Sequence, residues 1–430
     1  MRRPTFRHLA DNPVDDIKTW FNSCQATIGD MSSDKYSQQQ VKRLLYTYRK
    51  LDARAVVNLP ATDLNIHKIH LKPGTKPWNM SKRKKWPKDQ EWWLNKIVTE
   101  SWKSGMHEPT VIVNGVLSQW NAQAKLVPKS DDVQWGDEPH VTFNYHYVHE
   151  ILPMSYMPLM SDCHDFLTHP SFQFFCQWDC KHSYWSIPLH PDSRPNFAFT
   201  LTNMPQLQPT RVPQGFQSAS FGLTKCMKIM LGEIPPLPDG ELPPDGTDGS
   251  FPSILTGSRI EDLASTHFYM DDIFNRFRKF EEGFQFSLHH FLPRIAWGMF
   301  RLSFKKLNLF CSKIIALGVE HKGGGISRIK YARGEKIKIW PTLKDNSHVR
   351  SFMASINIKK SWIKNFAEMA APLNYLTGNV PFIWGPVQQA SFCLLKDKCS
   401  SEVEKHGQLP NVPCQMYSDA INLCMGCVVT

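Results

Sequence analysis

The 430-residue sequence lacks several features that define broad classes of protein. No run approaches the roughly 20 consecutive apolar residues that cross a bilayer, so we expect no membrane-spanning segment. The basic N-terminus has no apolar stretch, which is untypical of a secretory signal or a transit peptide. The eleven cysteines have no regular spacing, a pattern that favours reduced intracellular thiols over a secreted disulfide framework. The sequence also has no internal repeat.

Charge is abundant but unevenly distributed along the chain. Residues 1–130 contain 22 basic and 11 acidic residues, residues 131–272 contain 6 and 18, and residues 273–430 contain 22 and 10. Two cationic flanks suit contacts with a phosphate backbone, and an anionic centre suits a metal site. Seven of the central acids lie in residues 233–262, a segment rich in Pro, Gly and Asp that we predict to be an exposed insertion.

The hydrophobic pattern predicts a mixture of strands and helices. Alternating apolar residues predict a strand pair at 121–129 and 139–148. The other predicted elements are a buried strand with a turn at 172–179 and 184–188, strands near 302–304, 313–320 and 326–330, helices at 217–231 and 281–300, and two amphipathic helices within 347–377.

Residues 72–103 are basic and rich in tryptophan, and they support two interpretations. Aromatic faces among cations are typical of a groove for single-stranded nucleic acid, because every base has a face that can stack. Alternatively, the tryptophans pack one face of a helix around residues 89–104, and the lysine run is solvated. The pattern favours neither interpretation.

The clearest chemical signal is a pair of adjacent aspartates, Asp271 and Asp272, between two short apolar runs. Adjacent aspartates are common on protein surfaces, but the flanking residues 268–270 and 273–274 are types that favour burial. This pattern predicts a β-hairpin that holds both carboxylates at its tip. We therefore interpret the pair as a candidate metal site.

Two further elements precede this pair. A buried-looking strand ends at Asp179, and an aromatic residue, Tyr184, follows five residues later. The segment Pro213-Gln214-Gly215 predicts a tight turn that enters a helix. Each element alone also has an ordinary structural explanation, because an aspartate at a strand end commonly caps a turn or a helix.

In this order the three elements resemble the palm of reverse transcriptases, with Tyr269-Met270-Asp271-Asp272 as the third motif. The resemblance covers residues 65–430. The further segments that are similar to gypsy-type long-terminal-repeat retrotransposons are Leu126-Val127-Pro128-Lys129, Ser183–Leu189, Leu302–Lys306, Leu317-Gly318, Val349–Phe352, Trp362–Phe366, Ala370–Leu373, and Tyr417–Ala420 with Gly426. The last of these resembles the first strand of an attached RNase H domain.

The resemblance implies an α+β right-hand polymerase whose palm is an antiparallel sheet. The implied parts of the chain are a peripheral or linker segment at 1–65, fingers and palm at 66–330 with a flexible insertion at 233–262, thumb and connection at 331–405, and the start of a truncated RNase H-like domain at 406–430. Because Asp419 alone cannot bind two metal ions, we expect no RNase H activity.

The resemblance also implies an activity. The chain would be the RNA-directed DNA polymerase of a retrotransposon polyprotein, which adds dNTPs to a primer on an RNA or DNA template by two-metal phosphoryl transfer. Asp179 and Asp271 would be the principal ligands of two Mg²⁺ ions, with Mn²⁺ as the alternative ion and Asp272 in support. The implied substrate contacts are Tyr184 beneath the sugar, where it excludes a 2′-hydroxyl, Gln214 and Gly215 in the nucleotide pocket, Lys129 at the triphosphate, and Lys306 at the leaving group. For both lysines, a solvated surface cation is the alternative.

Departures from the family's pattern keep other hypotheses open, and the oligomeric state is open as well. The stretch from His140 to His146 has histidine where the family carries arginine, and a neutral imidazole is a poor substitute for a guanidinium at a triphosphate. The alternative is therefore a catalytically decayed or repurposed remnant that binds nucleic acid without polymerising. An RNA-dependent RNA polymerase fits poorly, because Tyr184 would clash with a ribonucleotide and Met270 stands where such enzymes have glycine.

Overall fold

The structure is a computed structural model of the chain. It describes residues 9, 13–30, 34–53, 59–80, 85–128, 138–152, 157–231, 266–329, 331–363, 365–400, 404–407, 416–421 and 424–429. The predicted insertion at 233–262 and the predicted triphosphate contact Lys129 lie outside these residues.

Helices and strands alternate along the described chain. The helices are α1 Val14–Cys24, α2 Lys35–Thr47, α3 Lys88–Lys103, α4 Thr110–Asn114, α5 Met160–Leu167, α6 Ala219–Leu231, α7 Phe280–Phe286, α8 Leu292–Trp297, α9 Tyr331–Lys338, α10 Asn346–Ile356, α11 Phe366–Tyr375 and α12 Pro386–Ser400. The strands are β1 Thr27–Ile28, β2 His107–Pro109, β3 Ala124–Val127, β4 His140–Phe143, β5 Phe174–Asp179, β6 Leu207–Pro209, β7 Thr266–Tyr269, β8 Asp272–Phe277, β9 Asn308–Cys311, β10 Lys313–Ala316, β11 Val319–Lys322, β12 Ile326–Ile329, β13 Glu404–His406, β14 Met416–Ile421 and β15 Cys424–Val429. This mixture is the α+β class that we predicted.

The chain divides into two compact units. Unit 1 comprises Met1–Leu159 and Cys176–Cys311, and unit 2 comprises Met160–Phe175 and Ser312–Thr430. Within the described part of the chain, no helix is both long and apolar enough to cross a membrane.

Unit 1 is built on a five-stranded sheet with the strand order β1-β9-β5-β8-β7. Its middle strand, β5, buries consecutive residues, including Cys176 and Trp178, which is expected when both faces of a sheet are covered. The Trp178 ring packs 4.7 Å from that of Phe291, and its indole N–H donates to Asn275 Oδ1 at 2.6 Å. The sheet is therefore a rigid support for whatever its strand ends carry.

The N-terminal helices of unit 1 belong to the same core as the sheet. In α2, apolar residues recur every three to four positions, and Val41, Leu44 and Leu45 are fully buried in that core. Just after the helix, the Tyr48 hydroxyl donates to the Leu288 carbonyl oxygen at 3.0 Å. This segment therefore contributes substantially to the packing of unit 1.

Unit 2 contains a four-stranded antiparallel sheet, β10-β11-β12-β13, and the helices α5 and α9 to α12. The amphipathic pattern that predicted two helices within 347–377 forms α10 and α11. Phe352 of α10 and Leu373 of α11 are fully buried in the core of this unit. A separate hairpin pairs β14 with β15.

The predicted pair at 121–129 and 139–148 is confirmed as the antiparallel strands β3 and β4, and the helix at 217–231 is confirmed as α6. The predicted helix at 281–300 is interrupted by a π-turn, Ser287–Phe291. The segment after β5 forms a short 3₁₀ helix, Ser183–Ser186.

One strand prediction in the last third is wrong, and another is confirmed only in part, as two strands instead of one. At 302–304 the chain makes only isolated bridges through Leu302 before a 3₁₀ turn, Phe304–Lys306, and the strand β9 begins later. At 313–320 the chain forms a hairpin, because Leu317 and Gly318 both adopt positive φ (49° and 84°), as a two-residue primed turn requires.

Candidate active site

The two adjacent aspartates lie at the tip of a β-hairpin, as their apolar flanks predict. Strands β7 and β8 pair antiparallel, and the last pair, Tyr269 with Asp272, leaves Met270 and Asp271 as a two-residue turn. Met270 has φ 55°, the left-handed conformation that such turns place at their first central residue. A non-glycine residue in this region costs on the order of 1–3 kcal/mol, which the fully buried Ile273 of β8 helps to offset.

Asp179 is positioned by hydrogen bonds at the end of β5. Its carbonyl oxygen accepts from the Ser303 N–H at 3.0 Å, and the next N–H, that of Cys180, donates to the Asp271 carbonyl oxygen at 2.8 Å. The end of β5 is thus bonded directly to the hairpin turn. The Asp179 side chain is 13% exposed. The structure therefore brings together the three aspartates that the sequence singled out.

The electrostatics of the site reflect this proximity. Burial, followed by the charges of Asp271 and Asp179, raises the pKa of Asp272 to about 6. Burial and the charge of Asp179 also raise the pKa of Asp271, and the Lys306 ammonium partly opposes both shifts. The neighbouring carboxylates thus disfavour ionisation of Asp271 and Asp272, and a cation at this cluster would stabilise their charged forms.

Lys306 already supplies one such cation. Its Nζ donates to Asp179 Oδ2 at 2.8 Å, although the side chain as a whole is 66% exposed. The 3₁₀ turn that carries it is anchored by the buried Phe304, whose N–H donates to Asp52 Oδ1 at 3.2 Å. Burial lowers the pKa of Lys306, but the bond to Asp179 and the charges of the three aspartates outweigh it, so the pKa is raised overall.

Tyr184 lies beside the hairpin turn. The residue belongs to the 3₁₀ helix that follows β5, and its hydroxyl is 4.0 Å from the Met270 sulfur. Burial raises the pKa of Tyr184, a hydrogen bond with the Ser220 side chain opposes this, and Asp271 adds to it. The ring is therefore half-buried next to the aspartates, with a fixed hydroxyl.

The Pro213–Gly215 turn is anchored at its start and exposed at its end. Val212 and Pro213 are buried, whereas Gln214 and Gly215 are exposed. Gly215 has φ 100°, and a Cβ there would meet only the Phe143 carbonyl oxygen at 3.7 Å, so glycine is required by the backbone angle rather than by space. Within the described residues, no hydrogen bond joins Gln214 or Gly215 to the three aspartates.

Cys180 is a site residue that sequence analysis did not identify. Its thiol is 1% exposed, and burial, followed by the charges of Asp271, Asp179 and Asp272, raises its pKa well above the ordinary value. Its position directly after Asp179 was the only signal in the sequence. The thiol therefore stays protonated and adds no charge beside the three carboxylates.

The charged groups of the site are three carboxylates and one ammonium group. Among the described residues, no three His, Cys, Asp or Glu side chains converge closely enough to hold a metal. The carboxylate oxygens of Asp179, Asp271 and Asp272 are nonetheless the ligands that Mg²⁺ prefers, and an ammonium group already rests on one of them. The chemistry of the site therefore fits a hard cation that replaces Lys306 at Asp179.

Comparisons with known proteins identify relatives of part of the chain. No family model matches it. The Gag-Pol polyprotein of avian reticuloendotheliosis virus is 28% identical over 297 residues, which is 66% of this chain and 23% of that protein. The Gag-Pol polyprotein of koala retrovirus is 28% identical over 256 residues, which is 58% of this chain and 13% of that protein. The chain thus spans less than a quarter of the length of these curated relatives.

Solved structures resemble nearly the whole chain. The foamy viral protease-reverse transcriptase in complex with RNA/DNA hybrid matches with a TM-score of 0.67 and 17% identity, over 97% of this chain and 50% of that one. The same protein in complex with dsDNA matches with a TM-score of 0.68 and 16% identity, over 99% and 79%. The fold of this chain therefore resembles that of solved reverse transcriptases, which confirms the predicted α+β polymerase fold.

Proposed function

We propose that the chain is an RNA-directed DNA polymerase, the reverse transcriptase of a retroelement polyprotein. The observation that carries this proposal is the hydrogen bond from Cys180 N–H to the Asp271 carbonyl oxygen, which joins the strand that ends in Asp179 to the hairpin that ends in Asp271 and Asp272. The similarity to Gag-Pol polyproteins and the reverse-transcriptase fold support it. The order of the motifs further supports a gypsy-type long-terminal-repeat source.

The proposed reaction is attack of a primer 3′-hydroxyl on the α-phosphate of a dNTP, on an RNA or DNA template. Two Mg²⁺ ions, or Mn²⁺, would supply the charge stabilisation for the attacking and leaving oxygens. Asp179 and Asp271 provide the principal carboxylates, and Asp272 supports them. Near neutral pH the Asp272 carboxylate is available as a ligand, because its raised pKa is about 6.

The remaining site residues bind and select the nucleotide. Tyr184, held beside Met270, would lie under the sugar and exclude a 2′-hydroxyl, so that deoxynucleotides are selected. Gln214 and Gly215 would shape the nucleotide pocket from an exposed turn. Lys306, whose side chain is largely exposed, would move from Asp179 to the leaving group. Lys129 would face the triphosphate.

The proposed domain arrangement follows the motifs. Residues 66–330 would form fingers and palm after an N-terminal segment at 1–65, residues 331–405 the thumb and connection, and residues 406–430 the beginning of an RNase H-like domain. The partner is a primer annealed to an RNA or DNA template. The foamy viral structures, which are complexes with RNA/DNA hybrid and with dsDNA, support this partner.

Primer extension tests the proposed function. Purified protein with an RNA template, a DNA primer, dNTPs and Mg²⁺ is expected to extend the primer, and Asp271→Asn is expected to lose at least about 10²-fold in rate because a metal ligand is removed. The matched control is Asp192→Asn, an exposed aspartate of unit 1 that pairs with Lys68. Absence of extension by the wild type, with salt-dependent binding of the template, would instead identify a remnant that binds nucleic acid without polymerising.

A further inference from the structure

Unit 1 also contains a buried polar cluster that includes none of the three aspartates. It consists of Glu150, Ser218 and His67, whose exposed fractions are 1%, 2% and 7%. Glu150 Oε1 accepts from the Ser218 N–H at 2.7 Å, and Glu150 Oε2 accepts from the Ser218 hydroxyl. On the other side, His67 Nε2 is 3.0 Å from the same hydroxyl oxygen.

A carboxylate in this position has a substantial cost. Burial raises the pKa of Glu150, and the hydrogen bonds from Ser218 oppose that shift. Burial, with the charge of Lys225, lowers the pKa of His67 to about 4, so this ring is neutral at pH 7 and acts as a hydrogen-bond partner rather than a counter-ion. Burying a carboxylate without an ion pair is expensive unless its lone pairs are satisfied, as they are here by Ser218.

Ser218 is the junction between the Pro213–Gly215 turn and α6. It comes three residues after Gly215 and directly before the helix, and its carbonyl oxygen accepts from the N–H groups of Phe221 and Gly222. The first N–H groups of a helix have no partner within the helix, and the positive end of its dipole favours a negative charge. The Glu150 carboxylate therefore fixes the position at which the turn becomes helix.

His67 fixes the same junction from the other side. Its backbone is bonded to the stretch after the 3₁₀ helix, with His67 N–H donating to the Pro188 carbonyl oxygen at 2.9 Å. Its ring lies 5.8 Å from that of Phe216, the residue directly after the turn. A Cβ on Gly222 would come within 2.7 Å of His67 Nδ1, so only glycine lets α6 approach the ring this closely.

We propose that Glu150 is a positioning residue for the nucleotide pocket: together with His67 it holds Ser218, and thereby sets the position of Gln214 and Gly215. Glu150 does not touch the nucleotide. This inference rests on the proposed function, because Gln214 and Gly215 form the pocket only if the chain binds a dNTP. It adds a residue from a distant part of the chain to the determinants of nucleotide affinity.

Single-nucleotide extension with Glu150→Gln and Ser218→Ala tests the proposal. A glutamine keeps one acceptor for Ser218 but loses the other, so one of the two hydrogen bonds to a charged group is removed. We expect the KM for dNTP to rise by about tenfold or more while kcat and the Kd for primer–template stay within about threefold. Ser218→Ala keeps the N–H bond and should show a smaller rise in KM.

Glu108→Gln is the matched control. This carboxylate is also in unit 1 and accepts hydrogen bonds from Arg194 and Gln208 at 2.7–3.2 Å, but it has no contact with the turn. The control should lower the melting temperature without changing the KM for dNTP. Equal effects of Glu150→Gln and Glu108→Gln on KM would overturn the proposal.

Amide hydrogen exchange separates this proposal from the proposed function. In the intact wild-type chain the Ser218 and Gly222 amides should exchange slowly, and Glu150→Gln should accelerate them by about tenfold or more, whereas Glu108→Gln should not. Unchanged exchange in Glu150→Gln would overturn the inference that Glu150 holds Ser218 in position. A second outcome is accelerated exchange in Glu150→Gln together with a wild type that extends no primer. That outcome would overturn the role in nucleotide affinity and the proposed function, but Glu150 would still be shown to hold Ser218.

Discussion

At the scale of single residues, the site is governed by charges that are close together and only partly solvated. Asp272 has the raised pKa of about 6 because it is half-buried beside two other carboxylates. Lys306 compensates part of this charge through Asp179, 127 residues earlier in the chain. In the proposed metal site a divalent ion and a proton would compete for the same oxygens, which would make metal affinity depend on pH.

We expect the affinity for Mn²⁺, used as a probe for Mg²⁺, to rise with pH and to level off above about pH 6. Asp272 has a folded pKa of about 6, above its ordinary 3.8. Below pH 6 the metal-free protein holds this proton, so each unit of falling pH weakens metal binding by about tenfold. The folded state also binds this proton more tightly than the unfolded state does. The metal-free protein therefore loses stability as pH rises from 3.8 to 6 and the proton is lost. Titration calorimetry from pH 5 to pH 8 measures this.

Asp272→Asn is the variant that isolates this effect. It removes the titrating group but keeps its size, so the pH dependence of Mn²⁺ binding should flatten between pH 5 and pH 6, with weaker binding throughout. A wild-type affinity that does not change over this interval would contradict the assignment of the raised pKa to a metal-binding carboxylate.

At the scale of elements, the hairpin could be predicted and its surroundings could not. The apolar flanks of Asp271 and Asp272 are a local signal, and they correctly predicted two strands with the acids at the tip. The cluster of Glu150 with Ser218 joins residues 68 positions apart, and that of His67 with Ser218 joins residues 151 apart. Such pairs depend on tertiary packing, which periodicity does not encode.

The strand β9 shows the same limit from another direction. It is four residues long and pairs in parallel with β1, which lies about 280 residues earlier in the sequence, near the N-terminus. A parallel partner so far away in sequence leaves no turn signal between the two strands. The packing of α2 is comparable: its amphipathic pattern predicts a buried face, but the pattern does not state which core that face joins.

We expect Leu44→Ala in α2 to destabilise unit 1 as strongly as truncation of a buried side chain in the five-stranded sheet would. Leu44 is 0% exposed within the core that also contains Trp178. Removing a buried leucine side chain costs about 2–5 kcal/mol, because the site loses transfer free energy and leaves a cavity. Equilibrium unfolding in urea, followed by far-UV circular dichroism, gives the free energy of unfolding.

The control for this prediction lies on the same helix. Tyr36 is 70% exposed, so Tyr36→Ala should change the free energy of unfolding by less than about 0.5 kcal/mol. If Leu44→Ala were equally mild, residues 35–47 would not contribute to the stability of unit 1.

At the scale of the whole molecule, the uneven charge of the chain bears on its binding partner, whereas the division into two units bears on its stability. Residues 131–272 carry the negative charge, and the three aspartates account for part of it, while seven acids belong to residues 233–262, outside the described structure. The basic flanks suit a nucleic acid partner in both units. Stability, by contrast, depends on each unit's own core, and the core of unit 2 contains a titratable pair.

That pair is His164 of α5 and His321 of β11. His164 Nδ1 lies 3.1 Å from His321 Nε2, and the Trp362 ring covers His164 at 5.7 Å. Burial lowers the pKa of His164 to about 4, with Asp165 opposing and Lys405 adding to the shift. Burial, followed by the influence of His164 and Lys405, lowers the pKa of His321 to about 3. Both rings are therefore neutral in the folded protein at pH 7.

We expect unit 2 to lose stability as pH falls from 6.5, the ordinary histidine pKa, towards 4. Both folded pKa values lie below that of the unfolded chain, so the unfolded state binds more protons in this window, and stability falls with pH. At pH 5 the loss is about 2 kcal/mol for each histidine.

Urea unfolding at pH 7, 6 and 5 measures the slope of the free energy of unfolding of unit 2 against pH. His164→Gln should roughly halve this slope, because one titrating ring remains. The control is His146→Gln, an exposed residue of unit 1, which should keep the wild-type slope of unit 2 because it lies outside that unit. An unchanged slope in His164→Gln would show that the acid sensitivity arises elsewhere.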